Sequence, residues 1–220
     1  MEQKLDERAL ARQPTKPPSR ARFEGVLDEA EKLLLEQGLN GFSIPVLAER
    51  LGYTRASIYH FFPTPYAMLN ELSHRYFKES SSLIIELTQG FGGLPWRDML
   101  ERVVAFAAEY YNERPIARML LLGGPVTDQS FRIQEQTNEQ LGAMIHAEFQ
   151  KRGIELPKEP DVAWITVDIA DGILRHSQYR YEHITDPCRD QAVHAMTAYL
   201  ARYTDESVAA AGRRARKSGR

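Results

Sequence analysis

Apolar residues recur along this chain at helical spacing. Phe23, Val26, Leu27, Ala30, Leu33 and Leu34 fall at i, i+3, i+4 and i+7 positions, while Glu24, Asp28, Glu29 and Glu31 take the opposite face. That pattern predicts an amphipathic helix from Ser19 to a left-handed stop at Gly38. Ser43 suits the N-cap of a short second helix whose apolar face is Ile44, Leu47, Ala48 and Leu51, and Gly52 ends it. Thr54 caps a third helix to about Phe61. Pro63 stops it, because proline cannot donate a backbone bond and disfavours α geometry in the residue before it. Thr64 and Pro65 then restart the chain as N-cap and first helical residue. Met68, Leu69, Leu72, Tyr76 and Phe77 carry the fourth helix into the 80s.

Clear punctuation divides the remainder. Helices are predicted from Pro95 to about Asn112, from Pro115 to Leu122, from about Asp128 to Arg152, from about Asp161 to Tyr181, and from Asp186 to about Tyr203. No segment alternates as a strand and no unit repeats at a fixed period. The fold class is therefore all-α, with about nine helices. Residues 1–19 lack periodicity and contain Pro14, Pro17 and Pro18, the composition of a mobile arm.

Composition narrows the setting. The longest uninterrupted apolar run, Val103 to Ala108, is six residues, too short to span a bilayer. The single cysteine excludes a disulfide framework within the chain and a Cys-cluster metal site. With no signal-like N-terminus, the expectation is a cytoplasmic protein. The net charge of −2 hides an uneven distribution: residues 1–22 sum to +3, residues 212–220 to +5 and the rest to −10. Basic ends on an acidic body are compatible with local contacts to an anionic polymer, or with two solubilising tails.

The segment SIPVLAERLGYTRASIYHFF has the helix–glycine turn–helix form. Ala48 lets the two helices cross closely, Gly52 permits the sharp turn, and Leu47, Leu51 and Ile58 bury the inner faces. The second helix of the pair then presents its first residues outward, where backbone N–H groups and the positive dipole end favour phosphate. Arg55, Ser57 and His60 carry donors suited to base edges or phosphates, and the Tyr59 hydroxyl can reach a phosphate oxygen. The same spacing also occurs at ordinary helical corners.

Residues 20–69 resemble the DNA-binding domain of the TetR (tetracycline-repressor-like) family of bacterial transcription regulators. The resemblance rests on LLLEQGLNGFSI, on LAERLGYTRASIYHFFP and on the YAML that opens the fourth helix. It implies a DNA-binding domain over 20–64 and a helical ligand-binding and dimerisation domain over 65–204; composition adds a flexible basic arm over 1–19 and a basic, disordered tail over 205–220. The resemblance implies a dimeric repressor on a pseudo-palindromic double-stranded operator, released by a small-molecule effector of apolar or aromatic character. Its DNA contacts would come from Ser43, Thr54, Arg55, Ala56, Ser57, Tyr59 and His60, with Ile58 and Phe62 in the core. The chain departs from the family at Thr64-Pro65, where members often carry Ser-Lys with the lysine on a phosphate. The basic arm before Arg22 is expected to compensate.

The last two long helices are expected to form the homodimer interface, with Gly172, Ala195, Ala198 and Ala201 as close-packing positions; the same faces could instead pack within one chain. Trp96, Phe106, Tyr110, Tyr111, Met119, Phe131 and Trp164 are either core or the lining of an effector cavity. Trp164, Asp168, Asp171 and Arg175 share one helix face. Asp168 is a possible polar anchor for a cationic or hydrogen-donating ligand; alternatively Asp171 pairs with Arg175. His176, His183, Cys188 and His194 fit no familiar zinc spacing, and Gly-rich phosphate loops, GxSxG and HExxH are absent. No catalytic residue, metal or cofactor is expected. The rival readings are a helical protein–protein adaptor without DNA binding and, last, an all-helical enzyme.

Overall fold

A computed structural model describes residues 7–123 and 127–204. The architecture is all-α, with no strand among the described residues. The helices are α1 (Pro17–Gly41), α2 (Ile44–Leu51), α3 (Arg55–Phe61), α4 (Pro65–Gln89), α5 (Trp96–Glu113), α6 (Pro115–Ala117), α7 (Asp128–Lys151), α8 (Val162–Tyr181) and α9 (Asp186–Thr204). The chain divides into two compact units. One extends to Glu79 and takes in Arg114–Glu135; the other comprises Ser80–Glu113 and the chain from Gln136 onward. The divisions fall inside α4 and α7, each of which is one continuous helix.

In the first unit, α1 buries the predicted stripe of Phe23, Val26, Leu27, Ala30, Leu33 and Leu34. The same unit also buries Ile44, Leu47 and Ala48 of α2, Ile58 and Phe61 of α3, and Ala67, Met68 and Leu72 of α4. Three rings knit the centre together. Phe23 stacks on Phe62 with centroids 4.6 Å apart and meets Phe61 edge-on at 5.8 Å, a geometry that adds to the area buried. Gly38 has φ 65° and ψ −173°, so α1 breaks there before its last turn closes at Gly41. After α6, Arg118–Leu122 forms a π-type turn that buries Leu120, Leu121 and Leu122. Apolar spacing cannot tell such a turn from an α-helix. This accounts for the single helix expected over Pro115 to Leu122.

Two expectations are corrected at the N-terminus. Helix α1 starts at Pro17 rather than Ser19, because prolines in the first helical positions give up only N–H groups that have no partner anyway. The segment before it, expected to be mobile, is held in place over its described part. The Arg12 N–H donates to the Phe61 carbonyl at 2.7 Å, the Thr64 hydroxyl to the Arg8 carbonyl at 2.8 Å, and the Asn70 amide to the Ala9 carbonyl at 2.9 Å. Composition could not disclose this, because the segment itself is held through its backbone groups. Residues 1–6 and the expected disordered tail at 205–220 lie outside the described residues.

The second unit is built around Phe91, Met99, Leu100, Val104, Phe149, Val162, Ala163, Met196 and Leu200, with α8 packed along α9 and α5 also against α9. Gly142 of α7 permits a close approach, since a Cβ there would stand 3.1 Å from the Trp164 nitrogen and 3.2 Å from its Cα. Asn112 clamps the turn before α9, donating to the Ile184 carbonyl at 2.9 Å and accepting its N–H at 2.8 Å. Asp161 caps α8 by accepting the Trp164 N–H at 2.9 Å, and the same oxygen lies 3.0 Å from His146 Nε2. Burial works against the Asp161 charge, but the Trp164 N–H and His146 outweigh it and hold the carboxyl below its ordinary range.

An Asp161→Ala variant should lose about 1 kcal/mol of stability at neutral pH, the usual worth of such a cap. The Asp161 contribution exists above the carboxyl's unfolded pKa and is lost as pH falls through its lowered folded value. Thermal melts of wild type and variant should therefore converge in acid.

Candidate nucleic-acid interface

The reading head is set by two side-chain caps and one glycine. The Ser43 hydroxyl oxygen accepts the Val46 N–H at 3.5 Å, opening α2. Gly52 closes it at φ 62°, a left-handed conformation that suits glycine. The Tyr53 N–H then returns to the Ala48 carbonyl at 2.9 Å. One residue later Thr54 opens α3, its hydroxyl oxygen accepting the Ser57 N–H at 3.2 Å. Because Ile58 and Phe61 are buried, the helix must turn Arg55, Ala56, Tyr59 and His60 outward, and all four are exposed. Ser57, half-buried, donates its hydroxyl proton to the Thr54 carbonyl at 2.7 Å, so it presents acceptor lone pairs rather than the donor expected of it.

Charge is distributed selectively around this head. Arg50 is drawn to α1, reaching Glu36 at 2.5 Å and Glu29 at 3.6 Å; the Arg50 hydrogen bond holds the Glu36 carboxyl below its usual range. Lys32 pairs with Glu29 at 3.1 Å. Arg75 of α4 meets Glu24, Asp28 and Glu31 at 2.5, 3.2 and 3.1 Å. Burial disfavours the Arg75 charge, yet the three carboxylates more than compensate and raise its pKa. Arg55 forms no ion pair with any described residue. Lys32, Arg50 and Arg75 thus offset part of the excess of acids along α1, and the cation on the outward face of α3 stays available.

Sequence reasoning missed two residues here. Tyr53, in the turn between α2 and α3, carries the Arg22 guanidinium 5.2 Å from its ring centroid. This cation–π contact positions a cation beside the head. Asn70 is almost fully buried on α4 and holds the N-terminal segment. Its one signal is an amide within the otherwise apolar AMLNEL stretch.

The expected effector residues are distributed over both units. Met119 and Phe131 belong to the first unit, and Phe131 is 50% exposed. In the second unit Trp96 packs on Phe149 at 5.5 Å beneath Arg97, while Phe106, Tyr110 and Tyr111 form a chain of ring contacts at 6.2 and 5.7 Å. Burial first, and Asp171 second, push the Tyr111 phenol above its ordinary range and keep it protonated. Trp164 is half-buried. Asp168 is exposed, and the buried Asn138 amide donates to it at 3.1 Å and to Asp171 at 3.3 Å. Among the described residues no three His, Cys, Asp or Glu side chains converge to hold a metal ion. His183, for one, is turned to the Tyr181 carbonyl at 2.7 Å.

A capped pair of short helices meeting at a left-handed glycine, with the second helix's polar face outward, defines a helix-turn-helix module. Two family models extend that assignment: bacterial regulatory proteins of the tetR family match residues 26–72, and the tetracycline-repressor-like C-terminal domain matches residues 95–200. The chain belongs to the TetR family and is a transcriptional regulator of that DNA-binding class. Similar solved structures include a TetR-family transcriptional regulator from Streptomyces coelicolor, with 20% identity, a TM-score of 0.64, and 83% of this chain and 99% of that one covered. A transcriptional regulator from Rhodococcus sp. shows 17% identity, a TM-score of 0.58 and coverage of 82% and 94%. The multidrug binding protein EbrR, solved with imidazole, shows 16% identity, a TM-score of 0.61 and coverage of 81% and 94%. These likenesses concern the fold. No curated protein matches the chain in sequence.

A Thr54→Val variant removes the acceptor for the Ser57 N–H and should cost about 1 kcal/mol. Because α3 has fewer than eight residues, the loss should show as faster amide exchange at Ser57, with the α8 amides unchanged.

Proposed function

We propose that the chain is a homodimeric repressor that reads a pseudo-palindromic operator through α3 and leaves it when a small molecule binds the helical body. One observation carries this reading: α3 is capped, packed and turned so that Arg55, Ala56, Tyr59 and His60 face outward, with Arg55 unpaired among the described residues. In this reading Arg55 and His60 approach base edges or neighbouring phosphates, and the Tyr59 and Thr54 hydroxyls donate to phosphate. Ser43 lines the start of α2, its proton not needed for the cap, and Ser57 accepts.

Dimerisation is assigned to α8 and α9. Gly172 is exposed with open space around its Cβ position, Ala198 is exposed, and Tyr179 is 67% exposed. Aromatic residues such as Tyr are enriched at protein–protein interfaces relative to the rest of the surface. Two-fold symmetry then sets the heads about one helical turn of DNA apart. The effector is assigned to the second unit, with Trp96, Phe106, Tyr110 and Trp164 as its apolar surface and Asp168 as its polar contact; Met119 and Phe131 are not part of that proposal. A cytoplasmic setting follows from the DNA target, and no described helix is long and apolar enough to cross a membrane.

Random-site selection on the full chain, followed by gel shifts of the recovered duplex, tests the reading. Arg55→Ala should weaken that complex by about 1–3 kcal/mol, the range for removing one good base-reading side chain. Failure to recover any duplex would favour the adaptor reading. Tyr179→Asp should shift sedimentation toward the monomer and weaken binding in step. An effector found by screening must lose affinity when operator is present, by the factor it imposes on the operator.

A further inference from the structure

The described N-terminal segment is basic, exposed and fastened beside the recognition helix. Arg12, Lys16, Arg20 and Arg22 are all exposed. Arg12, Lys16 and Arg20 form no ion pair with any described residue, whereas Lys32, Arg50 and Arg75 of the same unit are each committed to α1 carboxylates. Their backbone leaves little freedom. The Phe61 carbonyl, at the C-terminus of α3 where carbonyls lack helical partners, accepts the Arg12 N–H at 2.7 Å. The Arg8 and Ala9 carbonyls are taken by the Thr64 hydroxyl and the Asn70 amide.

Asn70 is itself oriented. Its Oδ1 accepts the Thr127 hydroxyl at 2.9 Å, which leaves Nδ2 pointing to Ala9. Thr127 is fixed by a reciprocal cap on α7: its oxygen accepts the Ser130 N–H at 3.2 Å, and its own N–H donates to the Ser130 hydroxyl oxygen at 2.9 Å. The hydrogen bonds run from the start of α7 through Asn70 to the backbone of the basic segment, entirely within the first unit.

We infer that residues 8–22 form a second DNA-contacting element, a cationic strut docked on the end of α3 whose side chains neutralise backbone phosphates flanking the site read by α3, with Asn70 and Thr127 as its positioning residues. Phosphate is the partner that fits. Arg12, Lys16 and Arg20 offer positive charges that make no ion pair with any described residue, on a backbone anchored to the end of α3, and Pro65 brings no charge to the start of α4. Asn70 and Thr127 touch no DNA in this arrangement and act through the strut alone.

The inference rests on the proposed function, and salt titration separates the two. Binding of the full chain to the duplex recovered by random-site selection would be measured across a salt series, for wild type, an Arg12→Ala/Lys16→Ala/Arg20→Ala triple variant, Asn70→Leu and Thr127→Val. The slope of log affinity against log salt should fall by about 0.9 for each phosphate that is no longer neutralised, so the triple variant should fall by at least one such step. Asn70→Leu and Thr127→Val should flatten the slope in the same direction. Adding the triple change to Thr127→Val should produce less than the sum of the two effects. Thermal melts identify any variant that fails to fold, and Thr127→Ser, which keeps the hydroxyl, should restore the wild-type slope. Wild-type slopes in the folded triple variant overturn the strut. A flattened slope in the triple variant with wild-type slopes in folded Asn70→Leu and Thr127→Val overturns their positioning role. If no duplex is recovered at all, the proposed function falls and the strut with it.

Discussion

The contact on which the DNA-reading end depends is the ring cluster of Phe23, Phe61 and Phe62. Helix α3 is seven residues long, far below the length at which a helix persists alone in water. Its shape and direction are therefore borrowed. Phe61 and Phe62 sit where the chain leaves α3, and Phe23 of α1 meets one ring edge-on and stacks on the other. With Ile58 fully buried one turn earlier, these contacts leave α3 a single orientation. The caps at Ser43 and Thr54 refine the ends of α2 and α3; the rings decide where the outward face points.

Electrostatics follows from the same packing. A helix with five acids on its outer side, as α1 has at Glu24, Asp28, Glu29, Glu31 and Glu36, would repel DNA if those charges stood alone. Arg75, Arg50 and Lys32 answer them from α4, from α2 and from α1 itself. Surface pairs of this kind add little to stability. Their effect is to weaken a repulsive field locally, so that a domain with a net negative charge still keeps a cation, Arg55, on the outward face of α3. The overall charge of −2 says nothing about this, because it averages over pairs that have already been made.

Much of the fold was legible because its punctuation is local. Gly52, Thr54, Pro63 with Thr64-Pro65, Asp161 and Gly153 mark turns and caps whose chemistry is complete within a few residues, and helix limits there agree with expectation to within a residue or two. What stayed hidden depends on partners far apart in sequence. The docking of residues 8–12 uses backbone carbonyls and amides that every sequence has. The role of Asn70 needs Ala9 on one side and Thr127 on the other. The π-type turn at Arg118–Leu122 has the same apolar pattern as the α-helix expected there. Aromatic residues were the least informative: Tyr110 and Phe131 look alike in sequence, yet one is buried and the other is half in water.

The division of labour within α3 bears on how such a protein changes over time. Ile58, Phe61 and the following Phe62 hold the helix in place, while positions 55, 56, 59 and 60 project outward, His60 keeping one edge contact with the Phe61 ring. Substitution at exposed positions 55, 56 and 59 leaves the folding of the domain almost untouched. A lineage can therefore try new DNA sequences one residue at a time without first crossing an unfolded intermediate, and target choice and structural integrity are free to evolve separately.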